Sequence, residues 1–162
     1  MGSLLKVVAC GVLVCIFYQD LKEREVLWFL FPLLAFSLAI VHYLNVDESL
    51  IFGYFILLNM LLVTGIVLLL FLIHKLWIQK PFLNHSFGLG DLLFFYAFAM
   101  GFPTVTFVVL FANSLLFSLV VYPFMKKYGK VATVPLAGLM SLFVLTVLGL
   151  SVFIKTPSLY TF

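Results

Sequence analysis

The chain has 162 residues, of which 65% are hydrophobic and only 9% are charged, and its mean hydropathy is +1.30. This composition excludes a soluble globular domain, because too few polar side chains exist to cover a water-exposed surface. The formal charge of +3 is small and dispersed, so we expect no nucleic-acid partner. We expect residues 1–162 to form one membrane domain in a lipid bilayer, with no separate soluble domain.

Six apolar segments follow one another along the chain. A spanning helix needs about 20 mainly apolar residues, because the hydrocarbon core is about 30 Å thick and each residue adds about 1.5 Å. The predicted helices cover residues 3–19, 26–43, 50–73, 91–100, 104–124 and 134–154. The first lacks a small-residue cleavage site, which indicates a mature helix and not a signal peptide. The predicted fold is therefore an all-α integral membrane protein with six transmembrane helices.

The charges between these segments predict their orientation. Lysine and arginine occur in the first, third and fifth links, whereas the second link carries only Asp47 and Glu48. By the positive-inside rule the odd-numbered links face the cytoplasm and both termini face outward. Asp20 belongs to the first link and Asp91 opens the fourth helix after the third link, so both are expected at the cytoplasmic face.

The fourth segment is too short to span a bilayer. From Asp91 to the turn at Gly101 the helix covers about 15 Å, half of the hydrocarbon core. We expect residues 84–90 to fill the missing half as a re-entrant or irregular segment, which is tolerated where it lines a wet cavity. Gly88 and Gly90 are expected to allow positive φ and to let a substrate backbone approach the carboxylate closely.

The two aspartates are the main functional candidates, because acidic residues at membrane depth are expensive. Taken alone, Asp91 could be a helix N-cap after a glycine turn, and Asp20 an interfacial charge. Together they favour aspartic proteolysis, in which one carboxylate activates water while its protonated partner hydrogen-bonds the scissile carbonyl. No metal or cofactor is expected, since this chemistry needs none and Cys10 and Cys15 are too few for a zinc site.

The residues around both aspartates form recognisable motifs. Asp20 begins the run Asp-Leu-Lys-Glu-Arg-Glu-Val, residues 88–91 read Gly-Leu-Gly-Asp, and residues 134–138 read Val-Pro-Leu-Ala-Gly. In their order and helix positions these motifs resemble those of type IV prepilin peptidases and the related preflagellin peptidases. The resemblance covers nearly the whole chain. Presenilin and signal peptide peptidase share the Gly-x-Gly-Asp motif but are a poorer match.

This resemblance implies an aspartic endopeptidase of the bacterial inner membrane. It would cleave the basic leader from type IV pilin-like (prepilin or pseudopilin) precursors at the cytoplasmic face. Asp20 and Asp91 would be the catalytic pair, supported by Gly88, Gly90 and Arg24, without a cofactor.

The chain departs from the family's pattern at three places. Leu27 and Trp28 stand where family members usually have Pro-Asn, and Leu93 stands where many have lysine. The link from Asp20 to Glu25 is too short for the inserted domain of the long, methylating enzymes. We therefore expect cleavage without N-methylation.

Other interpretations stay open at this point. The chain could be a small non-enzymatic transporter or assembly factor in which Asp91 carries a proton or an ion. Arg24 could favour the ionised Asp20 from one turn away on a continuing helix, or it could be an orientation charge. Asn59 and Asn113 are expected to form interhelical hydrogen bonds. The oligomeric state is not predicted.

Overall fold

The computed structural model describes residues 2–77, 88–128, 134–153 and 159–160. Within these ranges all regular structure is helical, which confirms the predicted all-α fold and the order of the six segments. The helices are α1 (Gly2–Lys22), α2 (Leu30–Tyr43), α3 (Ser49–Trp77), α4 (Leu89–Ala99), α5 (Thr104–Tyr128) and α6 (Leu136–Phe153).

Three helices are long and apolar enough to cross a membrane. These spans are Leu4–Lys22, Ser49–Leu76 and Thr104–Lys126, while α2, α4 and α6 are shorter apolar helices. Large apolar side chains on the outer face of α3, such as Leu57, Leu61 and Leu68, are more than half exposed. A surface of this kind suits lipid and not water, and it is typical of a helical membrane protein.

The helix bounds differ from the predicted ones in the first link. α2 begins at Leu30 and not at residue 26, because residues 25–27 have no regular secondary structure and residues 28–29 form a turn. The chain leaves α1 through a left-handed residue, Arg24, with a φ of 60°. The Leu27 N–H then donates to the Gln19 Oε1 atom at 3.0 Å, which ties this link to the end of α1.

The fourth helix is as short as predicted. α4 has 11 residues, which span about 16 Å. Of the segment 84–90 that was expected to be irregular, residues 84–87 lie outside the described residues and Gly88 is not helical. The prediction is wrong for Leu89 and Gly90, which form the start of α4. Helix α5 is longer than predicted: it continues through Pro123 to Tyr128.

α4 lies in the middle of the core. Its side chains Phe94, Phe95 and Phe98 are at most 2% exposed. The Phe98 ring meets the rings of Phe102 and Phe107 edge to face, with centroids 5.7 and 5.6 Å apart, an arrangement that aromatic pairs prefer. The helix that carries Asp91 at its start is therefore held by tight aromatic packing.

Polar side chains complete the other end of α4. The buried Asn59 amide on α3 donates to the carbonyls of Ala99 and Phe102 at 2.9 and 2.8 Å. The His42 Nδ1 atom on α2 lies 3.1 Å from the carbonyl of Met100. Carbonyls that the end of a helix leaves without a partner are thus satisfied from neighbouring helices.

The two asparagine predictions have different outcomes. The interhelical prediction is confirmed for Asn59. It is wrong for Asn113, which is exposed and donates to the carbonyl of Val109 in its own helix at 2.7 Å. An outward-facing amide has no neighbouring helix to reach, so it bonds back to the preceding turn.

Candidate active site

The site is built on the start of α6. Pro135 is the N-cap of this helix, because its carbonyl accepts the first intrahelical bond, from the Leu139 N–H at 3.0 Å. The amides of the first turn have no partner within their own helix. A helix start with free amides attracts negatively charged groups through these donors and the helix dipole.

Two adjacent amides of this turn bind the two aspartates. The Gly138 N–H donates to the Asp20 Oδ2 atom at 2.6 Å, and the Ala137 N–H donates to the Asp91 Oδ1 atom at 2.8 Å. Because the amides of one turn point in nearly the same direction, both carboxylates lie side by side. The structure therefore brings together the two aspartates that the sequence singled out.

Gly138 allows this close approach because it has no side chain. A Cβ atom at position 138 would lie 2.9 Å from the Asp20 Oδ2 atom and 3.0 Å from its Cβ atom. Cβ atoms essentially never approach other heavy atoms so closely. Only glycine fits here, and Asp20 can then rest directly on the helix start.

The glycines before Asp91 have different roles from those expected. Gly88 is the N-cap of α4 and is extended, with φ −73° and ψ 139°. No glycine in the described part of the chain has positive φ, so that expectation is wrong for Gly88 and Gly90. A Cβ atom on Gly88 would lie 3.1 Å from the Asp91 Oδ2 atom, whereas one on Gly90 would make an ordinary 3.5 Å contact with Phe31.

Asp91 is not the N-cap residue of α4, although its carboxylate accepts the N–H of Gly88, which is. Asp91 is the third residue of α4, after Leu89 and Gly90, and one of its oxygens is bound to a different helix. Its carboxylate also interacts electrostatically with that of Asp20. The two acids therefore influence each other directly.

The carboxylates lie at the boundary between packed core and open space. Asp20 and Asp91 are both partly exposed, Gly88 is exposed, and Ala137 and Gly138 beneath them are buried. One side of the pair is thus fixed by backbone, while the other side is accessible.

Arg24 interacts with this pair, but not from the predicted position. α1 ends at Lys22, so Arg24 is not on a continuing helix. Instead its left-handed backbone turns the chain, and its side chain is partly buried. Its positive charge acts on the carboxylate of Asp20, four residues earlier in the chain.

Two adjacent, partly accessible carboxylates held by rigid donors are suited to acid–base chemistry. Two carboxylates close together do not readily ionise together, which favours retention of one proton by such a pair. Among the described residues, no three histidine, cysteine or acidic side chains form a group that could hold a metal ion. Comparison with protein-family models, curated proteins and solved structures returns no significant match.

The donors Ala137 and Gly138 are the part of the site that the sequence did not assign a role. The sequence marks them only through the resemblance of residues 134–138 to a family segment. The sequence signal for these donors is a proline at the N-cap followed by glycine at the third helical position. Proline has no N–H to donate, and glycine lets a carboxylate approach the helix start. This pattern alone does not say which acid is bound.

Proposed function

We propose that this chain is an intramembrane aspartic endopeptidase. It cleaves the basic leader of type IV pilin-like precursors at the cytoplasmic face of the bacterial inner membrane, without methylating the product. The observation that carries the proposal is the binding of Asp20 and Asp91 by the adjacent amides of Gly138 and Ala137.

The proposed chemistry follows from the pair. The ionised aspartate removes a proton from water while the protonated one hydrogen-bonds the carbonyl of the scissile peptide. Neither step requires a cofactor. The exposed, extended backbone at Gly88 lies next to Asp91, which supports binding of an extended peptide segment there.

The proposed topology has six spans with both termini outside. The lysines and arginines in the odd-numbered links support it through the positive-inside rule. The short α4 supports a position of Asp91 below the membrane surface, because about 16 Å of helix covers only half of the hydrocarbon core. Asp20 and Asp91 then face the cytoplasm, where precursors are made.

The decisive experiment is co-expression with a pilin-like precursor, with leader removal followed by gel shift. Asp20→Asn and Asp91→Asn should each abolish cleavage, because an amide cannot hold or accept the shared proton. Asp47→Asn is the matched control: Asp47 is exposed in the second link, and its loss should leave cleavage unchanged.

Two results would contradict this proposal. Full cleavage by either Asn variant, at wild-type protein level in the membrane, would exclude the acid pair. A methylated N-terminus on the product, detected by mass spectrometry when no other enzyme is present, would contradict cleavage without methylation.

The transporter alternative has less support. A proton or ion carried by Asp91 needs a polar path to the opposite membrane face. The part of α4 beyond Asp91 is instead surrounded by buried aromatic rings, including Phe94, Phe98 and Phe102. Substrate-dependent proton uptake by the purified protein in liposomes would favour the transporter.

A further inference from the structure

Arg24 has a backbone conformation that its residue type disfavours. It is the one non-glycine residue with positive φ in the described part of the chain, at 60°. The left-handed region costs an L-residue about 1–2 kcal/mol, and glycine is the usual residue just past a helix end. Non-glycine residues in such conformations concentrate at functional sites. The reason that arginine occupies position 24 therefore lies in its side chain.

The surroundings of Arg24 differ from those of its neighbours. Glu23 and Glu25 on either side are exposed, whereas Arg24 is partly buried and interacts electrostatically with Asp20. Of the four charged side chains at residues 22–25, that of Arg24 alone is partly buried. An opposite charge close to a carboxylate favours its ionised form.

The two carboxylates have unequal environments. Each accepts a backbone amide of α6, and Asp91 also accepts the Gly88 N–H. Hydrogen bonds from backbone amides therefore do not distinguish Asp20 from Asp91. What distinguishes Asp20 is the full positive charge of Arg24, since the charged side chain acting on Asp91 within the described residues is Asp20 itself.

Their positions in the fold add to this difference. Asp20 lies two residues before the end of α1 and is followed by the exposed Lys22. Asp91 lies in the first turn of α4 and is followed one turn later by the buried Phe94 and Phe95. Negative charge is more costly in the apolar surroundings of Asp91.

We infer that Arg24 is a positioning residue that keeps the single negative charge of the pair on Asp20. Asp20 then activates water, and Asp91 keeps the proton and binds the scissile carbonyl. This inference rests on the proposed function and adds to it the separate roles of the two acids.

The proton balance of the reaction assigns each step to one acid. Asp20 takes a proton from water as the water oxygen bonds to the scissile carbon, and Asp91 gives its proton to the carbonyl oxygen. When the C–N bond breaks, Asp20 returns its proton to the leaving nitrogen, and one hydroxyl proton of the tetrahedral intermediate passes back to Asp91. Both acids are then restored.

The location of the proton can be measured without any substrate. The chain contains three aspartates, Asp20, Asp47 and Asp91. Carbon-13 labelling of aspartate gives three carboxyl NMR signals, which single Asn substitutions assign. In the pH range where the pair holds one proton, Asp91 should show the protonated shift and Asp20 the ionised shift. In Arg24→Gly the two shifts should converge.

Kinetics of precursor cleavage provide the second readout. Arg24→Gly should keep or raise the melting temperature, because it removes the backbone strain, yet lower kcat at least about tenfold. Arg24→Lys should restore most of kcat because it restores the charge. Lys22→Ala is the matched control; Lys22 is exposed and donates to the Tyr18 hydroxyl at 2.8 Å, so kcat should stay at the wild-type value.

The possible failures can be told apart. Equal shifts for the two acids in the wild type, a proton on Asp20, or an unchanged pattern in Arg24→Gly would overturn the inference whether or not cleavage is seen. Full kcat in Arg24→Gly would overturn it as well. Absence of cleavage by the wild type, with the proton found on Asp91, would count against the peptidase proposal alone.

Discussion

At the scale of single residues, the candidate site depends on two glycines, which have no side chain. Gly138 lets Asp20 rest on the start of α6, and Gly88 leaves space beside the Asp91 carboxylate. In both cases a methyl group would occupy the volume of a carboxylate and not that of a flexible apolar neighbour. Substitution at these positions should therefore affect chemistry more than folding.

Gly138→Ala tests this directly. The new Cβ atom would lie 3.0 Å from the Cβ atom of Asp20, so the Asp20 side chain has to move away from its amide donor. We expect precursor cleavage to fall at least about tenfold, since misplaced catalytic groups lose much of their effect. Overpacking should also lower the free energy of unfolding by about 1–3 kcal/mol.

Gly149→Ala in the same helix is the matched control. Nothing lies within 4 Å of a Cβ atom built there. The substitution should preserve cleavage and raise helix stability by about 0.5–1 kcal/mol, as measured by thermal unfolding in detergent. Equal cleavage by both alanine variants would show that Asp20 does not need its contact with Gly138.

The residue scale also shows what the sequence could predict. Asp20 and Asp91 were identifiable because few acidic residues exist and both were expected on one face. Their donors were not, because the Gly138 contact joins residues 118 positions apart and the Ala137 contact joins residues 46 positions apart. Such contacts follow from how α1, α4 and α6 pack, which local patterns do not encode.

At the scale of elements, α4 is a short helix whose position is fixed at both ends. Its first turn is tied to α6 through Asp91, and its last carbonyls are bound by Asn59 on α3 and His42 on α2. Helix order and the short α4 were predictable from apolar run lengths. The start of α2 was not, because it depends on the left-handed Arg24 and the Gln19 side chain.

Asn59→Leu should loosen α4 at the end far from the acids. The substitution leaves the carbonyls of Ala99 and Phe102 without this buried donor, which costs about 1–3 kcal/mol. Thermal unfolding in detergent measures this loss. We also expect lower cleavage activity, because Asp91 is carried by the helix that loses its anchor.

Asn113→Leu is the corresponding control. Asn113 is exposed and its amide donates to the preceding turn of its own helix, so its loss should change the unfolding free energy by less than about 0.5 kcal/mol. A similar loss for both variants would mean that the Asn59 contacts do not anchor α4.

At the scale of the whole molecule, the two ends of the helix bundle have different characters. The acid pair and the Arg24 turn lie at one end. At the other, the Lys6 Nζ atom lies 5.9 Å from the Tyr160 ring centroid and 3.3 Å from the Ser151 Oγ atom. Tyr160 also stacks on Phe102, with ring centroids 5.7 Å apart. Among the described residues, these side-chain contacts hold the second end of the bundle together.

The orientation of these ends is testable by cysteine labelling. In a variant without Cys10 and Cys15, Glu23→Cys reports on the end with the acids and Glu48→Cys on the opposite end; both positions are exposed. Because basic residues accumulate in the odd-numbered links, a membrane-impermeant maleimide should label Glu48→Cys in intact spheroplasts but Glu23→Cys only after lysis. The reverse pattern would place Asp20 and Asp91 outside the cell, where newly made precursors do not present their leaders, and would contradict the proposed site of cleavage.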